Sequence, residues 1–218
     1  MATSIQLHYF HGRGIGEPIR LIFAYGNVEF SDIRYSPDGY ASQTSLKASL
    51  PFGQLPALKI DGVFYGQADS LCRLAARISG LYPQNHFDCA LTDMVVQYQA
   101  EIGGAIAKLS YDGIPGAVGT KLLPDVQRRE AIDSWINRNL QNYLTRIESL
   151  YKGPYLVGES ICWADLCLFN RINQLLDHRP VGLLDSHELL ANSFSSIERN
   201  DLIASWISGH PEDYPRYS

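Results

Sequence analysis

The sequence lacks the features that mark several protein classes. Its 18 Lys and Arg stand against 23 Asp and Glu, a formal net charge of −5, and they form no basic run that would attract nucleic acid or an anionic membrane. Apolar stretches are short, and residues 1–10 have neither a basic start nor a long apolar block. We therefore expect no signal peptide, no transmembrane span, and neither nucleic acid nor a membrane as partner.

Cysteine is also scarce. The four cysteines, Cys72, Cys89, Cys162 and Cys167, include no C-x-x-C pair, and each falls in a segment that is typical of a helix or of its start. This usage favours reduced, structural thiols over a disulfide framework or a redox pair. The sequence therefore predicts a cytoplasmic protein.

The composition that remains is that of an ordinary globular protein. Hydrophobic residues make up 45% of the 218 residues and charged residues 19%, which argues against global disorder. A chain of this length can bury a proper core and form one domain or two.

The first 82 residues mix strands with helices. Residues 4–10 predict a strand, glycines follow, and Glu17-Pro18 open a helix, where an early acid and a proline are both favourable. A second strand is predicted to end at Tyr35, and the Asp61-Gly62 pair between two short apolar runs indicates a hairpin. With a weakly helical loop and a final helix, the predicted order is β-α-β-(α)-β-β-α.

After Tyr82-Pro83 the pattern becomes helical, and no further strand is expected. Helical periodicity recurs over four segments: 88–112, 124–151, 163–177 and 186–208. We therefore predict an α/β domain over residues 1–82 and an all-helical domain over residues 88–218.

The glycine cluster after the first strand raises the possibility of a dinucleotide site. Asp32 lies about where such a site needs an acid for the ribose. However, the glycines are spaced G-x-G-x-G, one residue short of the fingerprint, and that fold needs a parallel sheet of about six strands. A phosphate-binding glycine loop is therefore excluded.

Five motifs in register resemble those of another family. They read "LHYF-x-x-RG-x-x-EPIR", "SLKASLPFGQLP", "GQ-x-x-x-x-x-R", "GLYP" and "YLVGESICWADL", and they span both predicted domains. The chain resembles the cytosolic glutathione transferases of the tyrosine-type group, closest to the pi and sigma classes. The resemblance implies a thioredoxin-like N-terminal domain, an all-helical C-terminal domain, glutathione as co-substrate and no metal. The implied activity is a glutathione S-transferase that conjugates the glutathione thiolate to small hydrophobic electrophiles.

Tyr9, at the end of the first strand, is the catalytic residue that the resemblance implies. A free thiol has a pKa of ~8.5, so only a small fraction ionises at neutral pH. A phenol that donates a hydrogen bond to the sulfur beside a helix N-terminus favours the thiolate. On its own, a strand tyrosine would more often be a packing residue, and the surrounding motif favours catalysis.

The resemblance also implies a set of glutathione contacts. Leu55 would meet the cysteinyl part through a cis bond to Pro56, Gln67 and Ala68 would hold the γ-glutamyl carboxylate, and Lys47 would meet the glycyl carboxylate. The full implied set is Tyr9, Lys47, Gln54, Leu55, Pro56, Gln67, Ala68 and, from the partner subunit, Glu101. Asp93 competes with Glu101 for that last role.

An acceptor site for the electrophile and a dimer contact complete the resemblance. The acceptor site would be lined by Phe10, Ile15 and Tyr111, and by the tail around residues 206–217. Phe52 matches an aromatic key that inserts into the neighbouring subunit, so a homodimer is expected. Asp165 matches half of a helix-capping box, in which Cys162 stands where Ser or Thr is usual.

Three departures from the family pattern keep alternatives open. Ile15 stands where a basic residue is common, Ala68 lacks the usual hydroxyl, and residues 36–49 contain no tryptophan, for which Tyr40 or Gln43 could substitute. One alternative is a non-catalytic ligand-binding or structural protein of the same fold. The other is a glutathione-dependent prostaglandin-type isomerase.

Overall fold

A computed structural model describes residues 3–112, 121–178 and 182–214 of the chain. Two compact units form within it. The first combines residues 3–84 with residues 197–214, and the second contains the described part of residues 85–196. The predicted domain ranges, 1–82 and 88–218, stay a prediction; in the structure the last helix packs within the first unit.

The first unit is built on a four-stranded mixed sheet. Its strands are β1 (Ile5–Phe10), β2 (Ser31–Tyr35), β3 (Ala57–Ile60) and β4 (Val63–Gly66), and they lie in the order β2-β1-β3-β4. β1 runs parallel to β2 and antiparallel to β3, and β3 and β4 form the hairpin predicted around Asp61-Gly62. This is the predicted thioredoxin-like arrangement, and the prediction is confirmed.

Helix α1 (Glu17–Tyr25) connects β1 to β2 and is the most deeply buried helix segment of the first unit. Pro18 lies in its first turn, and every residue from Glu17 to Phe23 is buried. It packs against α4 (Ala68–Ile78) and α10 (Asp201–Gly209). Such a helix must pair any charge that it carries, because an unpaired buried charge is costly.

Short helices join the remaining parts of the first unit. α2 (Pro37–Ala41) and α3 (Thr44–Ser49) occupy the loop after β2, where the sequence indicated weak helical character. Ser36 caps α2 by accepting a hydrogen bond from the backbone N–H of Gly39. A 3₁₀ turn, Pro211–Asp213, follows α10.

The second unit is helical. It contains α5 (His86–Ser110), α6 (Asp125–Trp135), a π-helical turn (Ile136–Leu140), α7 (Gln141–Glu148), α8 (Trp163–His178) and most of α9 (Glu188–Glu198). At the start of α8, Asp165 accepts the backbone N–H groups of Leu156 and Cys162, at 3.1 and 2.9 Å. Asp165 therefore forms the half of the capping box that the sequence predicted.

One prediction for the second unit is wrong. No strand was expected after residue 82, yet β5 (Tyr111–Asp112) and β6 (Lys121–Leu122) pair in an antiparallel ribbon. Two residues are too few to produce an alternating pattern, so the sequence carries no signal for it.

Candidate functional site

Three strand ends meet at one edge of the sheet and bring most of the predicted site together. Tyr9 is near the end of β1, and its neighbour His8 pairs with Ala57, the first residue of β3. Ala57 in turn pairs with Gly66, the last residue of β4. Pro56 and Gln67, the residues just outside these two ends, are therefore placed beside the Tyr9 end of β1.

Tyr9 is held by the glycine turn that follows it. The backbone N–H of Ile15 donates a hydrogen bond to the Tyr9 hydroxyl at 3.2 Å. A Cβ on Gly14 would stand 2.4 Å from that hydroxyl, and a Cβ on Gly16 would stand 2.3 Å from Cδ1 of the ring. The glycines therefore leave room for a tyrosine ring at the N-terminus of α1.

The residues around Pro56 adopt the backbone that the resemblance implied. The Leu55–Pro56 peptide bond is cis. Gln54 is exposed and Leu55 is half-buried, so the segment that leads into β3 borders solvent. Backbone groups and the Gln54 amide are therefore accessible to a peptide-like ligand.

Gln67 has an uncommon backbone conformation just before α4. Its backbone φ is +72°, in a region that residues other than glycine rarely adopt. Its side chain makes no capping hydrogen bond to the helix. Strained residues of this kind concentrate at ligand sites. The first-turn N–H groups of α4, which begins at Ala68, form a natural site for a carboxylate.

Lys47 and Tyr40 connect the α2–α3 loop to this edge. Lys47 Nζ donates to the Ala41 carbonyl at 2.9 Å and lies 5.0 Å from the centroid of the Tyr40 ring. The Tyr40 hydroxyl donates to the Gly53 carbonyl at 2.8 Å, next to Gln54. Burial raises the pKa of Tyr40, so this hydroxyl stays a hydrogen-bond donor at neutral pH.

The predicted acceptor residues are placed in part. Phe10 packs edge-on against Tyr40, with ring centroids 5.5 Å apart, and the Ile15 side chain is 49% exposed. The side chain of Tyr111 and the residues after Tyr214 lie outside the described part of the structure.

The predicted interface residues belong to different units. Phe52, in the first unit, is 62% exposed, and its ring lies over Gly66, where a Cβ would stand 3.3 Å from Cδ2. Glu101 is an exposed residue of α5 in the second unit. Burial and the Glu101 carboxylate raise the pKa of Tyr143 on α7.

Sequence reasoning missed a buried charge cluster beside Tyr9. Arg20 and Glu17 have no solvent-exposed side-chain area, and Arg20 Nη1 lies 3.0 Å from Glu17 Oε2. The Arg20 guanidinium also lies 5.6 Å from the centroid of the Tyr9 ring. The available signal was two opposite charges three residues apart inside an otherwise apolar helix.

The described residues contain neither a metal-binding cluster nor a membrane-spanning helix. In residues 3–112, 121–178 and 182–214, no group of three or more His, Cys, Asp or Glu side chains is placed to hold a metal ion. Over the same residues, no helix combines the length and apolar character needed to cross a bilayer.

Comparison with known proteins identifies the family. Residues 119–210 match the family model of the glutathione S-transferase C-terminal domain. The chain is 30% identical over 172 residues to glutathione S-transferase P 10 of Caenorhabditis elegans. The matched region covers 77% of this chain and 74% of that protein. The chain belongs to the glutathione S-transferase family. It is accordingly a transferase enzyme, a glutathione S-transferase.

Two further proteins are similar over almost the whole chain. Hematopoietic prostaglandin D synthase of Gallus gallus is 28% identical over 207 residues, 95% of this transferase and 96% of the avian protein. The crystal structure of Na-GST-3 from Necator americanus, described as monomeric, is 26% identical and superposes with a TM-score of 0.78 over 95% of this chain and 98% of that chain. The family assignment therefore covers both compact units.

Proposed function

We propose that Tyr9 is the catalytic residue of this transferase and that its hydroxyl stabilises the glutathione thiolate. The proposal is supported by the position of the hydroxyl, which accepts the Ile15 N–H at 3.2 Å beside the N-terminus of α1. A phenol that accepts one hydrogen bond becomes a better donor in the next one. Thiolate stabilisation and proximity then supply the rate enhancement, without a covalent enzyme intermediate.

We propose that glutathione lies along the edge formed by the ends of β1, β3 and β4. Leu55 would contact its cysteinyl part, Gln54, Gln67 and Ala68 its γ-glutamyl part, and Lys47 its glycyl carboxylate. The support is the strand register, which gathers Tyr9, Pro56 and Gln67 at one edge. Two segments that are distant from Tyr9 in the sequence, around Pro56 and Gln67, would thereby contact the same short peptide.

Titration of the bound thiol tests the role of Tyr9. Thiolate absorbance is followed against pH in the wild type and in Tyr9→Phe, with Tyr65→Phe, an exposed tyrosine of β4, as the matched control. The wild type and the control are expected to ionise the thiol well below its free pKa, and Tyr9→Phe to move the pKa back up. Identical titrations of all three proteins would show that Tyr9 is not the activating group.

We propose that the electrophile binds over Phe10 and Ile15, with Tyr111 as a further wall, and that its reactive centre lies near the Tyr9 hydroxyl. The exposed apolar side chain of Ile15, where family members often carry a base, favours an uncharged and apolar acceptor. Conjugation rates for a neutral and a carboxylated nitroaryl halide of equal size test this. Faster turnover of the neutral compound is expected, and a preference for the carboxylate would contradict it.

A glutathione-dependent isomerisation of a prostaglandin endoperoxide is the second candidate function. It is favoured by the similarity to the avian prostaglandin D synthase over 95% of the chain. The same thiolate would attack one endoperoxide oxygen and break the O–O bond, which leaves the other oxygen as an alkoxide that takes up a proton. Loss of the proton from the carbon that bears the S–O oxygen then forms the carbonyl, breaks the S–O bond and releases the thiolate. Product analysis after incubation with the endoperoxide and glutathione distinguishes this reaction from conjugation, because isomerisation leaves the glutathione concentration unchanged.

We further propose a cytoplasmic homodimer with a role in detoxification. The four free cysteines suit a reducing compartment. Phe52, Val63 and Tyr65 expose large apolar surface in the first unit, and Phe87 and Met94 do so in the second. We propose that these side chains lie in the dimer interface. In the dimer, Phe52 would insert into the partner and Glu101 of the partner subunit would bind the γ-glutamyl amine.

A further inference from the structure

A cluster of buried charges extends from the Tyr9 end of β1 to the C-terminal segment, all within the first unit. Its members are Glu17, Arg20, Asp32, Arg34 and Asp213, joined by the indole of Trp206 and the hydroxyl of Tyr214. Neither Trp206 nor Asp213 nor Tyr214 belongs to the glutathione site proposed above. Glutathione binding therefore does not explain why these residues are joined in one cluster.

The inner half of the cluster fixes the chain on the C-terminal side of Tyr9. Arg20 Nη2 donates to the carbonyl of Phe10 at 3.2 Å, and Nη1 donates to the carbonyl of Gly12 at 2.8 Å. Arg20 Nε donates to Asp32 on β2 at 3.1 Å. One buried guanidinium thus fastens the end of β1 and the start of the turn that packs on the Tyr9 ring.

The outer half of the cluster fixes Glu17, and with it Arg20. Oε2 of Glu17 accepts from Arg20, while Oε1 accepts from Trp206 Nε1 at 2.7 Å and from the Tyr214 hydroxyl at 2.8 Å. Both donors to Oε1 come from the C-terminal segment. A fully buried carboxylate that loses its donors must shift or take up a proton, because the interior does not solvate the charge.

A second connection closes the cluster from the other side. Arg34 on β2 donates from Nη1 to Asp213 at 2.5 Å and from Nε to Asp32 at 2.6 Å, and Asp32 also accepts from Arg20. The Arg13 guanidinium, in the turn after β1, lies 5.1 Å from the centroid of the Tyr214 ring. The C-terminal segment therefore contacts Glu17, Arg34 and Arg13, and Arg34 connects it through Asp32 to Arg20.

From these contacts we infer that residues 206–214 form a C-terminal brace that positions the catalytic hydroxyl of Tyr9. Trp206 and Tyr214 donate hydrogen bonds to Glu17, and Glu17 accepts from Arg20. Arg20 in turn donates to the backbone carbonyls of the two residues that follow Tyr9 most closely in this network, Phe10 and Gly12. The brace keeps the Ile15 N–H on the Tyr9 hydroxyl and so keeps that hydroxyl aimed at the sulfur. The inference rests on the proposed catalytic role of Tyr9. Trp206, Asp213 and Tyr214 are positioning residues, not catalytic residues.

Two conservative variants test the brace. Tyr214→Phe and Trp206→Phe each keep an aromatic ring and remove one donor to Glu17. Tyr155→Phe, which removes a 2.6 Å hydroxyl contact with Ser196 in the second unit, is the matched control. For each protein we measure the pKa of the bound thiol, kcat and KM for glutathione, and the unfolding temperature.

The expected result separates positioning from folding stability. Each brace variant should lower kcat about tenfold and raise the pKa of the bound thiol, because small displacements of a reacting group are costly to rate. The KM for glutathione should change less than about twofold, since the residues proposed to bind the peptide are untouched. The control should match the brace variants in unfolding temperature while keeping the wild-type thiol pKa and kcat.

The possible failures are distinguishable. Brace variants that lose stability but keep the wild-type thiol pKa and kcat would show a structural role alone and overturn the inference. A wild-type protein that leaves the pKa of bound glutathione at its free value would instead overturn the proposed role of Tyr9. If Tyr214→Phe does not fold, Asp213→Asn, which keeps the shape and removes the charge facing Arg34, tests the second connection of the brace with the same measurements and the same expected result.

Discussion

The ring of Tyr9 lies directly on Gly16, at the point where a β-carbon would stand 2.3 Å from Cδ1 of the ring. Gly16 has φ −86° and ψ −26°, a conformation that alanine adopts without strain. Its absence of a side chain is therefore explained by the tyrosine and not by the backbone. The glycine turn makes room for an aromatic ring where a phosphate loop would make room for a ligand.

Gly16→Ala should consequently abolish most activity while the chain still folds. The added methyl group forces the Tyr9 ring away, and we expect kcat to fall at least about tenfold in a conjugation assay. Gly104→Ala is the matched control, because a Cβ there meets nothing within 4 Å in the middle of α5. It should keep full activity and gain about 0.5–1 kcal/mol of stability. Wild-type turnover in Gly16→Ala would contradict the proposed position of the catalytic ring.

Ala68→Ser should tighten glutathione binding. The hydroxyl that Ala68 lacks would reach the γ-glutamyl carboxylate at the start of α4, and a hydrogen bond to a charged group contributes roughly 1.5–3 kcal/mol. We expect the Kd measured by calorimetry to fall about tenfold. The control Ala48→Ser, on the exposed helix α3, should leave the Kd for glutathione unchanged. Equal affinity in wild type and Ala68→Ser would place the carboxylate elsewhere.

Phe52→Ser should weaken the proposed dimer. A buried aromatic anchor commonly contributes about 2 kcal/mol or more, so we expect the dimer dissociation constant from sedimentation to rise about 30-fold or more. Glutathione affinity should fall in parallel if Glu101 of the partner subunit completes the site. Phe87→Ser, at a side chain 82% exposed in the second unit, should also raise the dimer dissociation constant, because Phe87 belongs to the exposed apolar surface assigned to the interface. A monomeric wild type, the state described for the Necator americanus enzyme, would refute the dimer.

The sequence could predict features that depend on neighbouring residues and features that belong to a recognisable motif. The strand–turn–helix around Tyr9 and the Asp61-Gly62 hairpin follow from neighbouring residues, and the resemblance implied the cis bond at Pro56. The brace could not be predicted, because Glu17 meets Trp206 and Tyr214 across 189 and 197 residues. No local pattern encodes a hydrogen bond of that span.

Arg171 in the second unit carries a largely desolvated charge, and the hydrogen-bond acceptors described for it are neutral. In the part of the chain that the structure describes, Nε donates to Gln99 Oε1 at 3.2 Å and Nη1 to Gln174 Oε1 at 2.6 Å. A Cβ on Gly103 would stand 2.3 Å from Nη2, so α5 packs closely on the guanidinium. Burial lowers the pKa of Arg171 to about 10, an effect that the nearby Cys167 opposes.

Arg171→Met should therefore stabilise the protein at neutral pH. A basic group with a lowered folded-state pKa favours the unfolded state while it is charged, so its cost is fully present below pH 10 and declines as the pH rises above 10. Replacing a poorly compensated buried charge with an apolar side chain typically gains about 1–4 kcal/mol, less here because Gln99 and Gln174 lose their donor. Urea unfolding at pH 7 and at pH 10.5 should show the advantage of Arg171→Met shrinking at the higher pH. Arg138→Met, at an exposed position, should show no such change, and a variant that is less stable at pH 7 would contradict the argument.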